Sequence, residues 1–119
     1  MASKNASADA QREAKILKKL NHKNIIQFHD SFIFRDEFCI VTEFCDGGDL
    51  EDFMNQRKEV GQAIPYSLVV KWSKQLLEAL DYMHSFKPKP IVHRDIKSRN
   101  VFLKSNQIKL GDMGKWFAN

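Results

Sequence analysis

The segment IVHRDIKSRN, residues 91–100, stands between the longest predicted helix and a short predicted hairpin. A second polar segment, GDMG at residues 111–114, follows that hairpin. Polar side chains concentrate in these two segments, although their flanks are rich in apolar residues. Loops that carry charged side chains between regular elements are frequent places for binding and catalytic groups. The chemistry of this chain is therefore expected here.

Three oxygen-bearing side chains share this region. Asp95 and Asn100 are five residues apart on one loop, and Asp112 comes just after a strand that folds back toward them. Such a set suits Mg²⁺, which prefers one or two carboxylates or amides together with phosphate oxygens and water. Lys97 would add a positive charge at the same place. A carboxylate free of metal could then accept a proton from an incoming hydroxyl while Lys97 stabilises a phosphoryl group.

The elements around these loops follow from hydrophobic periodicity. Residues 66–85 predict a core helix, because their apolar side chains recur at helical spacing; these are Val69, Trp72, Leu76, Leu77, Leu80 and Met83. Residues 100–103 and 107–110 predict a small hairpin around a turn at 104–106. Earlier in the chain, residues 50–56 predict a short helix, and Gly61–Pro65 predicts a loop.

The first part of the chain predicts a helix and a hairpin. Ile16, Leu17 and Leu20 recur at helical spacing within residues 8–20, and Glu13 shares their inward face instead of the lysine face. A carboxylate in that position needs a cation or a metal, since burying it alone is costly. Residues 25–34 and 38–43 are rich in Ile, Val, Phe and Thr and predict two antiparallel strands around a turn at 35–37.

Composition excludes several classes of protein. The 119 residues are 43% hydrophobic and 29% charged, which fits one globular domain and not a disordered chain. The net charge of +4 comes from lysines and arginines scattered among acids, so no nucleic-acid surface is expected. No apolar stretch is long enough to span a membrane and no signal peptide is evident, which predicts a cytoplasmic protein, with nuclear entry left open. Cys39 and Cys45 lack metal-site spacing, and buried free thiols are expected.

The polar segments resemble the motifs of protein kinases. His93-Arg94-Asp95 with Asn100 matches the catalytic-loop pattern H-R-D-x-x-x-x-N, and Asp112-Met113-Gly114 stands where the family has D-F-G. Glu13 falls at the αC glutamate, and residues 41–50 resemble the segment that links the two lobes. Within the serine/threonine class, the segments CDGGDL (45–50), HRDIKS (93–98) and LGD (110–112) most resemble the NIMA-related (NEK) subfamily.

The resemblance implies a fold and a set of roles. The fold would be α+β, an incomplete two-lobed kinase domain, and the cofactors would be ATP and Mg²⁺. Asp95 would be the catalytic base, Lys97 would contact the transferred phosphate, and Asn100 and Asp112 would bind the metal. The remaining nucleotide contacts would come from the linking segment and the following hairpin: Thr42 at the back of the pocket, the Glu43 carbonyl and Cys45 backbone at adenine, Asp49 near the ribose, and Phe102 under the ring. Leu17, Phe28, His93 and Met113 would form an apolar column between the lobes.

The chain also departs from the family pattern. The twelve residues before Glu13 contain no glycine-rich G-x-G-x-x-G loop and no strand with the expected lysine, and the sequence stops five residues after Gly114. Met113 replaces the usual phenylalanine, and His22-Lys23-Asn24 replaces H-P-N with little expected effect. The whole chain, 1–119, is therefore predicted to be a partial kinase domain: about 8–43 from the small lobe, 44–49 the hinge, and 50–119 the start of the large lobe.

Two functions remain open from the sequence. In the first, the residues belong to a NEK-like kinase whose complete form transfers the γ-phosphate of ATP to serine or threonine hydroxyls of proteins, while the isolated chain is inactive. In the second, the chain is a catalytically dead interaction module or decoy derived from a kinase. The intact Asp95, Asn100 and Asp112 favour the first. A lone helix 66–85 would leave apolar surface exposed in the isolated chain.

Overall fold

The part of the chain that the structure describes, residues 4–93 and 96–111 of a computed structural model, contains three α-helices and two antiparallel hairpins. This mixed architecture confirms the predicted α+β class. The elements in chain order are α1 (Lys4–Lys19), β1 (Phe28–Phe34), β2 (Glu37–Thr42), α2 (Leu50–Glu59), α3 (Tyr66–His84), a short 3₁₀ turn (Ser98–Asn100), β3 (Val101–Lys104) and β4 (Gln107–Leu110).

Both hairpins close through two-residue turns. Arg35 and Asp36 join β1 to β2, and Ser105 and Asn106 join β3 to β4, all four with positive φ. Positive φ at both central residues matches the right-handed twist of the paired strands. The predicted three-residue turns were therefore one residue too long, because Glu37 pairs with Phe34 and the first residue of the second turn pairs with Gln107.

The predicted first strand began too early. Residues 25–27 do not pair with β2 as part of a regular ladder but lie beside the end of β4. Ile25 forms a parallel bridge with Leu110, and the Ile26 amide donates to the Leu110 carbonyl at 2.9 Å. Ile25 and Ile26 are both buried. These two residues are apolar because they lie between the two hairpins. A run of apolar residues looks the same in the sequence whether it extends a strand or fills such a contact.

Helix α1 packs its small and apolar face against the first hairpin. Ala10, Ala14, Leu17 and Leu20 are buried, and Phe28 packs against the same core. Glu13 lies on this face and is partly buried, as its spacing predicted. The lysines at 15, 18 and 19 are exposed, so the predicted solvent face of the helix is confirmed; Lys23 is also exposed but lies beyond the end of the helix.

Helix α3 packs against β4 through only part of its predicted stripe. Trp72, Ala79 and Met83 are buried, whereas Val69 and Leu77 are exposed by 45% and 65%. Two polar contacts fix the helix to the hairpin: Trp72 Nε1 donates to the Asn106 carbonyl at 3.1 Å, and the Ile108 amide donates to Gln75 Oε1 at 3.0 Å. The prediction that the whole stripe is core was wrong for Val69 and Leu77, while the predicted exposed apolar surface is confirmed.

The core centres on β3, β4 and the residues that α1 and α3 bring to them. Leu103, Ile108 and Leu110 are buried together with Leu17 and Met83. None of the helices in the described ranges is both long and apolar enough to cross a membrane. Cys39 and Cys45 are free thiols and are half-buried, so the expectation of full burial was too strong.

Candidate functional site

The segment that follows β2 is held along β3 by main-chain hydrogen bonds. The Gly47 amide donates to the Leu103 carbonyl at 2.9 Å, and the Leu103 amide donates to the Gly48 carbonyl at 2.8 Å. Asp49 then forms a bridge with Phe102. Residues 47–49, which belong to the predicted hinge at 44–49, therefore lie directly against the strand that carries Phe102.

Gly47 permits this close approach. A Cβ atom at this position would stand 2.8 Å from the Leu103 carbonyl oxygen and 2.9 Å from Leu103 Cβ, distances that real Cβ contacts do not reach. Any side chain would push the segment away from β3. The sequence alone does not predict this contact, because a close approach between distant segments leaves no local signal.

The main-chain groups predicted to meet adenine are placed in this segment. The Glu43 carbonyl accepts a 3.2 Å hydrogen bond from Thr42 Oγ1, and one of its lone pairs is thereby used. The Cys45 carbonyl accepts from the Gly48 amide at 3.3 Å, but the Cys45 amide donates no hydrogen bond within the described residues. An amide donor beside a carbonyl is a pattern that a planar heteroaromatic base can pair with.

The Glu43 side chain connects three segments. Its carboxylate accepts from the Gln27 amide at 2.8 Å and from Lys104 Nζ at 2.9 Å, and Lys109 Nζ lies 3.7 Å away. The side chain is only 11% exposed. Burial alone would raise the pKa of Glu43, but the hydrogen bonds from Lys104 and Gln27 and the charge of Lys109 hold that pKa below its ordinary value. Sequence reasoning assigned a role only to the Glu43 carbonyl.

Glu43 should make the fold sensitive to acid. Because the pKa of Glu43 is lower in the folded chain than its ordinary 4.5, the unfolded chain takes up the proton first as the pH falls. The stabilisation is complete above about pH 4.5 and is lost as the pH falls through the folded pKa. Chemical unfolding between pH 3 and 7 should show this loss of free energy of unfolding at low pH. In Glu43→Gln the free energy of unfolding should depend less on pH. Glu59→Gln, at an exposed position on α2, is the matched control; an equal change there would contradict the assignment.

Asp49 has two structural partners. Its carboxylate caps α2 by accepting from the Asp52 amide at 2.9 Å, and it also contacts Arg99 Nη1 at 3.3 Å. Arg99 reaches Asp52 more closely, at 2.8 Å. Hydrogen bonds from Arg99 to Asp52 and then to Asp49 raise the pKa of the guanidinium. The side chain predicted to lie near a ribose is thus fixed by both the start of α2 and Arg99.

The backbone of Phe102 pairs with Asp49, and its ring lies close to Gly111. Its edge would come within 3.0 Å of a Cβ atom at Gly111, so the glycine lets the chain pass close to the ring. Phe102 is half-buried and packs against the core. The predicted ribose and adenine residues therefore meet at one edge of β3.

Two buried polar residues anchor the loop before Asp112. His93 Nε2 donates to the Gly111 carbonyl at 2.7 Å, since a carbonyl can only accept. The Gly111 amide donates to the Asn100 carbonyl at 2.9 Å, and the Asn100 amide donates to the Lys97 carbonyl at 2.9 Å. Asn100 is therefore brought next to the residue that precedes Asp112. The exposed Lys97 lies directly before the 3₁₀ turn.

Some predicted residues lie outside the described part of the chain. These are Asp95, Asp112 and Met113, together with Arg94. Of the predicted apolar column, Leu17 and His93 are buried and Phe28 packs against the core. Within residues 4–93 and 96–111, no three acidic, histidine or cysteine side chains are grouped as a metal site would require.

Asn24 is a buried residue that sequence reasoning did not single out. Its Nδ2 donates to the Ile108 carbonyl at 3.0 Å, and its own carbonyl accepts from the Leu110 amide at 2.8 Å. Its Oδ1 is buried without a hydrogen-bond partner in the described chain. Asn24 ties the loop after α1 to β4 and so fixes the strand that leads to Gly111. The available signal was an amide residue placed directly before the apolar pair at 25–26.

Comparison with known sequences identifies the family. The protein kinase domain matches residues 1–116. The chain belongs to the protein kinase family. The serine/threonine-protein kinase Nek11 of Homo sapiens is 46% identical over 110 residues, which are 92% of this chain and 17% of that protein. Nek4 of Mus musculus is 44% identical over 107 residues, 88% of this chain and 13% of its own.

A third NEK kinase is similar over nearly the whole chain. Nek3 of Mus musculus is 38% identical over 112 residues, 93% of this chain and 21% of that protein. The chain therefore spans about a fifth or less of the length of these relatives. The predicted resemblance to the serine/threonine class and to the NEK group is confirmed. The matched region, residues 1–116, includes both polar segments, at 91–100 and 111–114.

Proposed function

We propose that this chain carries the adenine site and catalytic loop of a serine/threonine protein kinase, and that the complete protein phosphorylates serine and threonine hydroxyls of other proteins with Mg-ATP. One observation carries the proposal: the segment that contains Cys45 and Asp49 is hydrogen-bonded to β3, the strand that carries Phe102 and directly follows Asn100. These are the positions that the family motifs assign to adenine, ribose and metal. The proposed division is 8–43 for the small lobe, 44–49 for the hinge and 50–119 for the large lobe.

The residues fit a nucleotide. The Cys45 amide, which donates no hydrogen bond to the described residues, and the Glu43 carbonyl offer a donor and an acceptor. Phe102 offers an apolar face close to Gly111. Asn100 and Asp112 would hold Mg²⁺, which neutralises charge on the phosphates when it is bound. Thr42 closes the back of the pocket. The nucleotide would therefore bind between the hinge segment and β3.

The same loop supplies the groups for transfer. Asp95 accepts the proton of the substrate hydroxyl. The hydroxyl oxygen forms the new bond to the γ-phosphorus while the bond between that phosphorus and the leaving ADP oxygen breaks. Lys97 stabilises negative charge on the transferred group. His93 supports this arrangement, because its hydrogen bond to the Gly111 carbonyl fixes the residue that directly precedes Asp112.

A nucleotide titration tests the adenine site. Adding Mg-ATP to the ¹⁵N-labelled chain should shift the Cys45 amide signal together with those of Asp49 and Phe102. Cys45→Pro removes the donor and should weaken binding about tenfold, the equivalent of one hydrogen bond of about 1.4 kcal/mol. Cys45→Ala keeps the amide and should stay close to the unmodified chain. Shifts scattered away from the hinge, or none at all, would remove the support for a nucleotide site and favour an interaction module.

The 119-residue chain alone should not transfer phosphate at a useful rate. Its sequence holds neither the glycine-rich loop nor the strand lysine that position the phosphates, and positioning with charge stabilisation supplies most of the rate. Incubation with Mg-ATP and a generic basic protein should give no signal above that of Asp95→Asn. Clear activity over this control would show that the chain needs neither element.

A further inference from the structure

The loop between α1 and β1 contains His22, a residue that the proposed function does not use. Its half-buried ring lies beside α3, where its centroid is 5.2 Å from that of the Tyr82 ring. The Tyr82 hydroxyl also accepts a 2.9 Å hydrogen bond from the Asn21 amide. Tyr82 therefore contacts two consecutive residues of this loop and attaches the loop to α3.

The imidazole of His22 also makes a hydrogen bond within the loop. Its Nδ1 atom accepts from the Asn24 amide at 3.0 Å. A ring nitrogen that accepts a hydrogen bond carries no proton, so the ring is neutral and its proton is on Nε2. Protonation would place a hydrogen on Nδ1, opposite the N–H of Asn24. Two donors would then face each other, and the hydrogen bond could not form.

This hydrogen bond is connected to β4 through Asn24, which is completely buried. Asn24 Nδ2 donates to the Ile108 carbonyl, and the Asn24 carbonyl accepts from the Leu110 amide. The residue that makes both contacts with β4 thus depends on His22 for the partner of its own amide. The charge of a partly exposed ring is thereby coupled to the strand that ends directly before Gly111.

The groups around His22 affect how readily it takes up a proton. The charged and titratable side chains that face it come from its own loop, from α3 and the segment after α3, and from β4: Lys23, Glu78, Asp81, Tyr82, Lys87 and Lys109. Burial, followed by the positive charge of Lys23, lowers the pKa of His22 below its ordinary 6.5, and Lys109 acts in the same direction. Glu78 opposes them. The kinase pattern H-P-N has an uncharged proline at the position of Lys23, so this charge is a departure of the present chain.

We infer that His22 is a pH-sensitive switch, which holds residues 20–24 against α3 and β4 when its ring is neutral and releases the Asn24 amide when the ring is protonated. The folded chain binds this proton less readily than the unfolded chain does. The stabilisation by the neutral ring is therefore complete above about pH 6.5 and is lost as the pH falls through the pKa of folded His22. Glu43 responds only below about pH 4.5, so the two effects can be separated. The switch acts through the packing of the chain and requires neither nucleotide nor substrate.

Amide hydrogen exchange of the 119-residue chain at pH 7.5 and pH 5.0, corrected for the intrinsic exchange rates, tests this switch. Protection of the Asn24 amide should fall about fivefold or more at pH 5.0, as expected for the loss of one hydrogen bond. The ring signals of His22 and the amide signals of Asn24 and Leu110 should shift with one common midpoint. These measurements on the unmodified chain need no variant to fold.

Two substitutions of His22 separate its acceptor from its charge. His22→Asn keeps a side-chain acceptor for the amide two residues further on and does not titrate in this range, so protection of the Asn24 amide should be equal at both pH values. His22→Phe keeps a ring beside Tyr82 but has no acceptor. Its Asn24 amide should be weakly protected at both pH values.

Three further variants identify the titrating group. Lys23→Gln removes a positive charge and should move the midpoint to higher pH, whereas Glu78→Gln should move it to lower pH. His29→Gln removes an exposed histidine from β1 and should leave the midpoint unchanged. Three results would overturn the inference: equal protection of the Asn24 amide at both pH values in the unmodified chain, pH dependence retained in His22→Asn, or shifts in the same direction in the two charge variants.

Discussion

Replacing Leu17 by alanine should lower the free energy of unfolding by about 2–5 kcal/mol, which is a large part of what a domain of this size possesses. Leu17 is completely buried, and it joins α1 to the core that includes Leu110 and Met83. Removing three carbon atoms there loses apolar burial and leaves a cavity that rigid neighbours cannot fill. The measurement is urea unfolding followed by circular dichroism, with the midpoint and slope compared.

Lys15→Ala is the control for this substitution. Lys15 lies on the exposed face of the same helix, and alanine keeps the helical propensity high, so the change should stay within about 0.5 kcal/mol. If both variants lose similar stability, α1 contributes through its own helix formation and not through packing. If Leu17→Ala loses less than about 1 kcal/mol, the helix is not part of the cooperative core.

Periodicity predicted the helices and hairpins because their signals are local. The stripe in α3 and the alternation in β3 and β4 each repeat within a few residues, and the structure has all three elements. Periodicity failed where a contact comes from elsewhere in the chain. Ile25 and Ile26 looked like the start of β1 but are buried against the end of β4. Val69 and Leu77 fitted an apolar stripe, yet nothing in a helical pattern states which part of a stripe is covered.

In the candidate site, too, the local motif was predictable from the sequence and the long-range contacts were not. A short motif was enough to predict a functional loop at residues 93–100, because those residue types at that spacing are rare by chance. The supports of the site were not predictable. The Glu43 carboxylate meets Lys104, 61 positions away, and Arg99 meets Asp52, 47 positions away. Gly47 approaches the distant backbone of Leu103. Such pairs have no fixed spacing, so only the folded chain reveals them.

The supports converge on β3 and β4. Glu43 reaches Lys104 and Lys109, Gly47 allows the segment after β2 to lie on Leu103, and Asn24 holds Ile108 and Leu110. The hairpin therefore serves as the common base for the proposed hinge, the proposed catalytic loop and the segment before Asp112. Loss of a buried anchor on this hairpin should affect both stability and the proposed nucleotide site, because the same strand carries Phe102.

Asn24→Asp exchanges one side-chain NH₂ group for an oxygen and should lower the free energy of unfolding by about 3–5 kcal/mol at pH 7. The substitution replaces the amide donor to the Ile108 carbonyl by an acceptor and places a charge in a fully buried position. Two acceptors would then face each other without a proton between them, and both would be desolvated. Asn24→Ala, which removes the donor without adding charge, should cost less, about 1–3 kcal/mol.

The acid dependence of this variant distinguishes charge burial from simple misfit. Burial raises the pKa of the introduced carboxyl above its unfolded value of about 3.9, so the folded chain retains the proton to a higher pH. Below about pH 4 the neutral carboxyl can donate to the Ile108 carbonyl, and the free energy of unfolding should be close to that of the unmodified chain. The loss of free energy of unfolding should grow as the pH rises from there toward the pKa of the folded variant. Urea unfolding of the variant and of the unmodified chain at pH 4 and at pH 7 measures this loss.

The control is Asn106→Asp, which makes the same exchange in an exposed turn. It should change the free energy of unfolding by no more than about 0.5 kcal/mol. An equal loss at both pH values would mean that shape, and not the buried charge, is responsible.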